Sequence, residues 1–394
     1  MSAPRCLVIG AGRIAGGFVA PLLRAAGWDV VLASRNPAVL RAIDEGGGVW
    51  LRTGDPPIER WIGGVGAIAL DATDLPRIVA TADLLATAVG PTQLPAVGRM
   101  LGPLLQERLA SSRSSVNVVT FENHRRGSEL LASGLIEASA PLAGQIGRRL
   151  GIGGAAVWRA VSNRVVANDG VRFDADDVEE CYADAISFVP GAAPLDGAVP
   201  GIELVRSFDD RMVEKLWTFN AGHAAAAYLG WHAGCATVDE AMADPEIRAA
   251  AASVVAEAQQ AFEAYLTMRP GSSPLPSRSL DSILDRYADP VLRDPVIRVA
   301  REPRRKLAAG DRLIGPAIAG MAAGLRPAAL AAASAAALAY DERTDPQAAD
   351  LQRELELLGP AEVLAAVSML DPSDELAQLI CNSYQDCAVR RVAP

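Results

Sequence analysis

The feature that most constrains this chain lies near its start, in Cys6 to Phe18, CLVIGAGRIAGGF. A buried apolar run from Arg5 to Ile9 ends at Gly10. A G-x-G-x-x-A pattern follows through Gly12 and Ala15, and a helical pattern runs from Gly16 to Ala26. A second apolar run, Val30 to Ala33, comes where the next strand of a strand–helix–strand unit belongs. Each small residue has a task. Gly10 permits a tight turn, Gly12 lets the backbone approach a diphosphate, and Ala15 is small enough for a helix to rest on a strand. The helix then presents its unpaired N–H groups to negative charge. A glycine pattern alone is weak and also suits a purely structural turn. Between a strand and a helix it predicts a dinucleotide cradle made by Gly10, Ala11, Gly12, Arg13 and Ile14.

Further strands are expected at Leu84 to Ala88 and Val116 to Thr120. Strands alternating with helices imply right-handed crossovers and a parallel, doubly wound sheet of the Rossmann type. The Pro- and Gly-dense stretch Val189 to Gly201 closes this part. It divides the chain into a dinucleotide-binding domain, 1–195, and a second domain, 196–394. Beyond it strand-like runs nearly vanish. Met212 to Leu229, Val238 to Ala243, Ile247 to Thr267, Leu280 to Tyr287, Asp311 to Ala323, Pro327 to Tyr340, Asp345 to Leu358 and Pro360 to Ser368 all suit helices. Asp345 with Pro346 gives a cap and first-turn pair, and Gly359 with Pro360 gives a stop and a new start. The fold class is therefore α/β, with an all-α C-terminal domain.

With 394 residues the chain is long enough for two cores. Its net charge of −10 argues against a general nucleic-acid or anionic-membrane binder, so a phosphorylated ligand would need a local basic pocket. The start lacks the pattern of a signal peptide, and the longest apolar stretch, Leu313 to Tyr340, is broken by Pro316, Arg326 and Pro327. Five dispersed cysteines predict free thiols and a cytoplasmic protein. The three histidines, His124, His223 and His232, show no metal-ligand spacing with them, so no metal is expected.

Cofactor choice is read at the end of the second strand. An acidic residue there bonds the ribose hydroxyls and would repel a 2′-phosphate. This chain has Ser34, Arg35 and Asn36 instead. A hydroxyl and a guanidinium suit that phosphate, so NADP(H) is favoured over NAD(H). The competing reading has Arg35 stacked on adenine or facing water.

The run KLWTFNAGH, Lys215 to His223, carries the chemistry. At 100° per residue, Asn220 and His223 lie about 140° and about 80° around a helix from Lys215, so the three can converge. Leu216, Trp217 and Phe219 supply apolar surroundings. Such surroundings disfavour a charged lysine and move it toward the range of a general base. Asn220 could donate to a reacting oxygen and His223 bind a substrate hydroxyl. A surface lysine, a capping asparagine and a satisfied histidine would fit the spacing equally well.

The same run resembles the Lys-x4-Asn-x2-His signature of the mannitol dehydrogenase family of long-chain polyol dehydrogenases. The likeness extends through GAGRIAGGF, TAVGP at Thr87 to Pro91, ENHRRG at Glu122 to Gly127, NAGHAAAAYLG at Asn220 to Gly230, and REPRRKLAAGDRLIGP at Arg301 to Pro316. The resemblance implies metal-independent hydride transfer between a secondary alcohol and a ketone. Lys215 would be the acid/base, Asn220 and Asn123 would stabilise charge on oxygen, and His223 would position substrate. Ala88, Val89 and Gly90 would border the cofactor, and Arg164 the substrate. It also implies a polyol or sugar phosphate such as mannitol 1-phosphate or fructose 6-phosphate, bound where the two domains face each other. The basic segment with Arg304, Arg305 and Lys306 would hold a phosphate, or would simply be a solvated helix face. Three departures bear on substrate and cofactor. Gly16 stands where the phosphate-acting members have arginine, Ser34 where they have aspartate, and Asn163 replaces the acid of an Asp-Arg pair. Two other readings stay open: an NADP-dependent dehydrogenase of another polyol, a cyclitol or a hydroxy acid, and a non-catalytic NADP(H)-binding sensor. No nucleic-acid or membrane partner is expected, and a monomer is expected over a homodimer.

Overall fold

The protein is described from a computed structural model, which covers residues 3–392 except Arg113, Asn168, Asp169, Pro194, Asp196 and Gly197. Side chains from 386 onward are outside the description, and so is the Cys387 thiol. Cys6, Cys181, Cys235 and Cys381 are free. The chain forms two compact units, 1–212 and 213–394. The expected loop at Val189 to Gly201 contains three of the positions outside the description. Past it a strand, Ile202–Val205, joins the first unit's sheet.

The strands of the first unit are β1 (Arg5–Ile9), β2 (Asp29–Ser34), β3 (Gly48–Thr53), β4 (Ile58–Gly63), β5 (Val65–Ala69), β6 (Leu84–Thr87), β7 (Val116–Thr120), β8 (Leu150–Val157), β9 (Val161–Ala167), β10 (Gly170–Ala175), β11 (Cys181–Asp184) and β12 (Ile202–Val205). The main sheet runs β12-β11-β8-β7-β6-β1-β2-β5. From β8 to β5 every neighbour pair is parallel, as expected. β11 lies antiparallel to β8, so the sheet is mixed at one end. β1 shows why its strands read as unbroken apolar runs. Cys6 and Val8 face one buried core, and Leu7 and Ile9 face the other. A parallel strand covered on both faces has no side left for polar residues.

A second sheet, β4-β3-β10-β9, was not anticipated. Its strands, among them IERWIG and VSNRVVA, carry arginines and other polar groups and are exposed along much of β4 and β9. That mixture does not separate a strand from a loop by composition. Helices Leu94–Ser111 and Gly127–Ala138 cross on small residues: a Cβ at Gly134 would stand 2.1 Å from the Pro95 carbonyl oxygen.

The second unit is helical among its described residues. Helices appear at Val238–Ala243, Pro245–Met268, Leu280–Tyr287, Ile314–Ala322, Ala328–Leu338, Pro346–Leu358 and Pro360–Ser368, close to their expected bounds. Asp345 caps its helix as expected, accepting from the Gln347 N–H at 2.9 Å. Helix Glu375–Val392 was not anticipated. Among the described residues no helix is long and apolar enough to cross a membrane.

Candidate active site

In the first unit the carboxyl ends of β1, β2 and β6 border a groove of about 380 Å³. Gly10, Ala11, Gly12, Ser34, Arg35, Ala88, Val89 and Arg164 are among its lining residues. This volume lies in the range of small-molecule sites. The glycine loop is built as its sequence requires. Gly10 has φ +121°, and a Cβ there would stand 2.5 Å from the Ala88 carbonyl oxygen, so no other residue fits. Gly12 meets only ordinary contact, Ala88 O at 3.7 Å, and leaves the loop surface bare for a ligand. The helix that follows departs from simple α geometry. Ala15–Val19 forms a π-turn before the α-helical Ala20–Ala25. Extra-residue turns of this kind are rare and concentrate at functional sites.

Gly16 now has a physical account. A Cβ on it would stand 2.2 Å from the ring of Phe173, a fully buried side chain of β10. An arginine cannot occupy this place while Phe173 does. Asn163, on β9, is also explained locally. Its Nδ2 donates to Asp174 Oδ2 at 3.4 Å, and Asp174 is paired with Arg52 at 2.8 Å. A second carboxylate at 163 would repel Asp174.

The other expected cofactor residues divide. The Ser34 hydroxyl oxygen accepts from the Asn36 N–H at 3.1 Å. Arg35 is exposed and reaches Gln93 Oε1 at 3.5 Å, across the groove mouth. The Asn36 side chain accepts from the N–H groups of Ala38 and Val39, capping helix Pro37–Gly46. That oxygen is committed to the helix, and Asn36 is absent from the groove lining. Arg13 donates to the Ser162 carbonyl at 3.4 Å, so its guanidinium is drawn toward β9. Ile14 and Gly90 are also outside the lining.

One residue that sequence reasoning passed over supports this groove. Glu122, at the end of β7, is buried. It accepts from Thr87 Oγ1 at 2.9 Å and from the Val89 N–H at 3.0 Å, holding the turn after β6 in place. Burial pushes its carboxyl up to about 7, against the opposing pull of these hydrogen bonds. The acid is therefore favoured neutral in the fold and charged in the unfolded chain. Its stabilising contribution is full below the ordinary carboxylate range and is lost as pH rises through about 7. Glu122→Gln should gain on the wild type by about 3 kcal/mol as pH rises across that window. Denaturant unfolding of both proteins at several pH values checks this; a constant difference would refute it. The sequence signal was available: an acid directly follows the apolar run VNVVTF.

In the second unit, Lys215–Phe219 is a π-turn set between helices Phe208–Glu214 and Asn220–His232. The expected simple α spacing from Lys215 to His223 is therefore corrected. The Asn220 N–H donates to the Lys215 carbonyl, five residues back, so the two residues stand at the two ends of one π-turn. Asn220 and His223 then follow on α geometry, one turn apart. Lys215 and Asn220 are both buried, at 9% and 7% exposure, and Leu216, Trp217 and Phe219 are buried beside them. Trp217 stacks edge-on against Tyr265, and Gly315 has no room for a Cβ because the Trp217 indole stands there. The lysine is thus carried by a wedged, apolar segment.

His223 lies flat on Tyr287, with ring centroids 5.2 Å apart and planes 9° from parallel. The Tyr287 hydroxyl donates to the Phe219 carbonyl at 2.6 Å. Burial drives the imidazole down to about 4, and Arg298, Arg312 and Arg286 push the same way against Asp294. His223 is therefore neutral at pH 7, with Nε2 standing 3.6 Å from Asp294 Oδ2. Asp294 is itself buried and paired with Arg298. Sequence reasoning passed over Asp294; its signal is the Asp-Pro step before helix Val296–Ala300.

Asn123 belongs to the first unit, where it follows Glu122 on an exposed turn. Of the basic run, Arg304 is paired with Glu354, and Arg305 with Glu302 at 2.8 Å and Asp311 at 3.5 Å. Lys306 is buried and donates to the Arg301 carbonyl. Burial drives its ammonium well down, with Arg312 and Arg305 adding to the effect. Arg304 and Arg305 thus have carboxylate partners, whereas Lys306 shares the neighbourhood of Arg312 with His223. Arg164, expected at a substrate, lines the groove at the carboxyl ends of β1, β2 and β6.

Comparison with known proteins agrees with this geometry. The mannitol dehydrogenase Rossmann-domain family model matches residues 4–197, and the C-terminal-domain model matches 205–387. A mannitol-1-phosphate 5-dehydrogenase of Brevibacillus brevis is 35% identical over 89% of this chain and 89% of its own length. One from Geobacillus thermodenitrificans is 31% identical over 97% and 98%. The mannitol 2-dehydrogenase of Pseudomonas fluorescens, solved with NAD and D-mannitol, shares the fold. Its TM-score is 0.74 at 15% identity, covering 99% of this chain and 92% of that one. Matched by both domain models and by relatives above 30% identity along most of its length, the chain belongs to the mannitol dehydrogenase family and is, by that membership, a polyol dehydrogenase.

Proposed function

We propose that this protein interconverts a secondary hydroxyl and a ketone on a polyol or sugar phosphate, with NADP(H) preferred over NAD(H), Lys215 as general acid/base, and no metal ion. The observation that carries this reading is the π-turn that sets buried Lys215 against Asn220 in an apolar wedge. A nicotinamide ring, when bound, supplies the hydride acceptor or donor. Gly10, Gly12, Ala88 and Val89 would border that cofactor, since they line a groove with a bare backbone floor.

The chain's own groups handle the proton. In oxidation the neutral Lys215 amine takes the hydroxyl proton as the carbon loses hydride, and in reduction the Lys215 ammonium returns it. The Asn220 and Asn123 amides donate to the oxygen on which charge develops, and such fixed dipoles lower the barrier without reorganising. Neutral His223 can accept from one substrate hydroxyl or donate to it, according to tautomer. For a phosphorylated substrate, the basic run with Arg304, Arg305 and Lys306 would hold the phosphate, Arg304 and Arg305 by exchanging their carboxylate partners for it. Mannitol 1-phosphate and fructose 6-phosphate are the pair proposed, following the relatives' activity.

The test is oxidation of NADPH and of NADH by purified protein with fructose 6-phosphate and with fructose, in the presence of a chelator. Turnover of fructose 6-phosphate with NADPH is expected, undiminished by the chelator. Turnover of fructose alone would overturn the phosphate assignment, and no turnover with tight NADPH binding would favour a sensor. Arg35 decides the cofactor. Arg35→Ala should weaken NADPH by about 10- to 100-fold, the size of a lost charge-assisted contact, while NADH changes by less than about threefold. Equal losses for the two would show that Arg35 does not read the 2′-phosphate.

A further inference from the structure

Arg164 is carried by β9, in the second sheet, yet its side chain crosses to the glycine loop of the first. Its Nη1 donates to the Ala11 carbonyl at 3.0 Å, and it lines the groove beside Gly10, Gly12 and Val89. The reach is prepared locally. The neighbouring Asn163 Oδ1 accepts from the Arg164 N–H at 2.9 Å, and its Nδ2 is held by Asp174. This end of β9 is thereby tied to β10.

We infer that Arg164 is a cofactor-binding residue that neutralises the diphosphate of the dinucleotide, rather than a substrate contact. The inference rests on the nucleotide site of the preceding section. A guanidinium has five N–H donors in a planar fork, and the bond to Ala11 occupies one end of it. The remaining donors stand at the loop whose bare glycine and following helix start are suited to a diphosphate. Diphosphate carries charge in both NADH and NADPH, whereas Arg35, which follows β2, would meet the 2′-phosphate alone on the proposed reading. The two arginines thus divide the cofactor between them.

The experiment compares wild type, Arg164→Gln and Arg164→Ala by direct binding of NADH and of NADPH to the full chain at low and high salt, alongside melting temperature. Glutamine keeps a polar amide donor on a shorter side chain and removes the charge. Both variants should weaken NADH and NADPH by the same factor, about 10- to 100-fold at low salt. The salt dependence of binding should flatten, and the ketose KM should stay unchanged at saturating cofactor. Wild-type affinity in Arg164→Gln, with loss only in Arg164→Ala, would reduce Arg164 to a loop tether and overturn the inference. A loss confined to NADPH would make it a 2′-phosphate reader, and a raised ketose KM alone would return it to the substrate. If the wild-type chain binds neither dinucleotide, the nucleotide site itself fails. If it binds both and the variants bind equally well, only the assignment of Arg164 fails.

Discussion

Lys215→Ala should lower kcat by about 10²–10⁴-fold while NADPH affinity changes by less than about twofold. The asymmetry follows from placement. Lys215 is in the helical unit, on a π-turn packed with Trp217 and Phe219, and the nucleotide groove is lined from the first unit. The alanine variant loses the proton acceptor but leaves the groove untouched. Lys215→Met controls for packing, because it fills the space with an unbranched chain of similar length. Melting temperatures of both variants are read alongside, and Lys215→Met should stay folded because it refills the space that Lys215→Ala leaves empty. If turnover survives in both, Lys215 is not the acid/base. If both lose their fold, the result measures the wedge around Trp217, and small primary amines should then fail to restore activity to either.

The second large effect separates the two glycines of the loop. Gly10→Ala should destabilise the first unit by about 3 kcal/mol or more, because the new Cβ meets a carbonyl and the residue is held in a conformation L side chains resist. The carbonyl oxygen of Ala88 is 2.5 Å away, it belongs to backbone, and φ at Gly10 is +121°. Gly12→Ala meets only a 3.7 Å contact at ordinary φ, so its stability should change by less than about 1 kcal/mol. Its methyl nevertheless projects into the ligand's space, and dinucleotide binding should be lost. Thermal melts and titrations with NADPH on the two variants give opposite patterns: a fold defect for the first, a binding defect in a stable protein for the second. A stable Gly10→Ala protein would show that the turn after β1 can relax.

Several parts of this molecule were legible from residues alone. β1, β2, β6 and β7 are continuous apolar runs because a parallel strand covered on both faces must be apolar throughout. The helices of the second unit carry caps and periodic apolar positions, and Asp345 with Pro346 marked one start correctly. The turn at Gly10 was legible because its positive φ and its close approach to the Ala88 carbonyl demand glycine. The block from Lys215 to His223 was legible through its likeness to a family to which the chain does belong.

Other parts were decided only by contacts between distant residues. The second sheet pairs β3 with β10, segments separated by more than a hundred positions, and its polar, half-exposed strands carry no local signature. The π-turn at Lys215 depends on what packs around Trp217, including Gly315 from another helix, and no local propensity specifies an extra residue in a helical turn. Gly16 looked like a departure until Phe173 was seen to occupy its side-chain space, and Asn163 until Asp174 was seen beside it. The placement of Arg164 at the glycine loop has the same origin. Sequence specifies residue chemistry and short-range geometry, because those depend on a few bonds. Which side chain reaches which loop depends on how separated strands are brought together, and tertiary packing alone decides that.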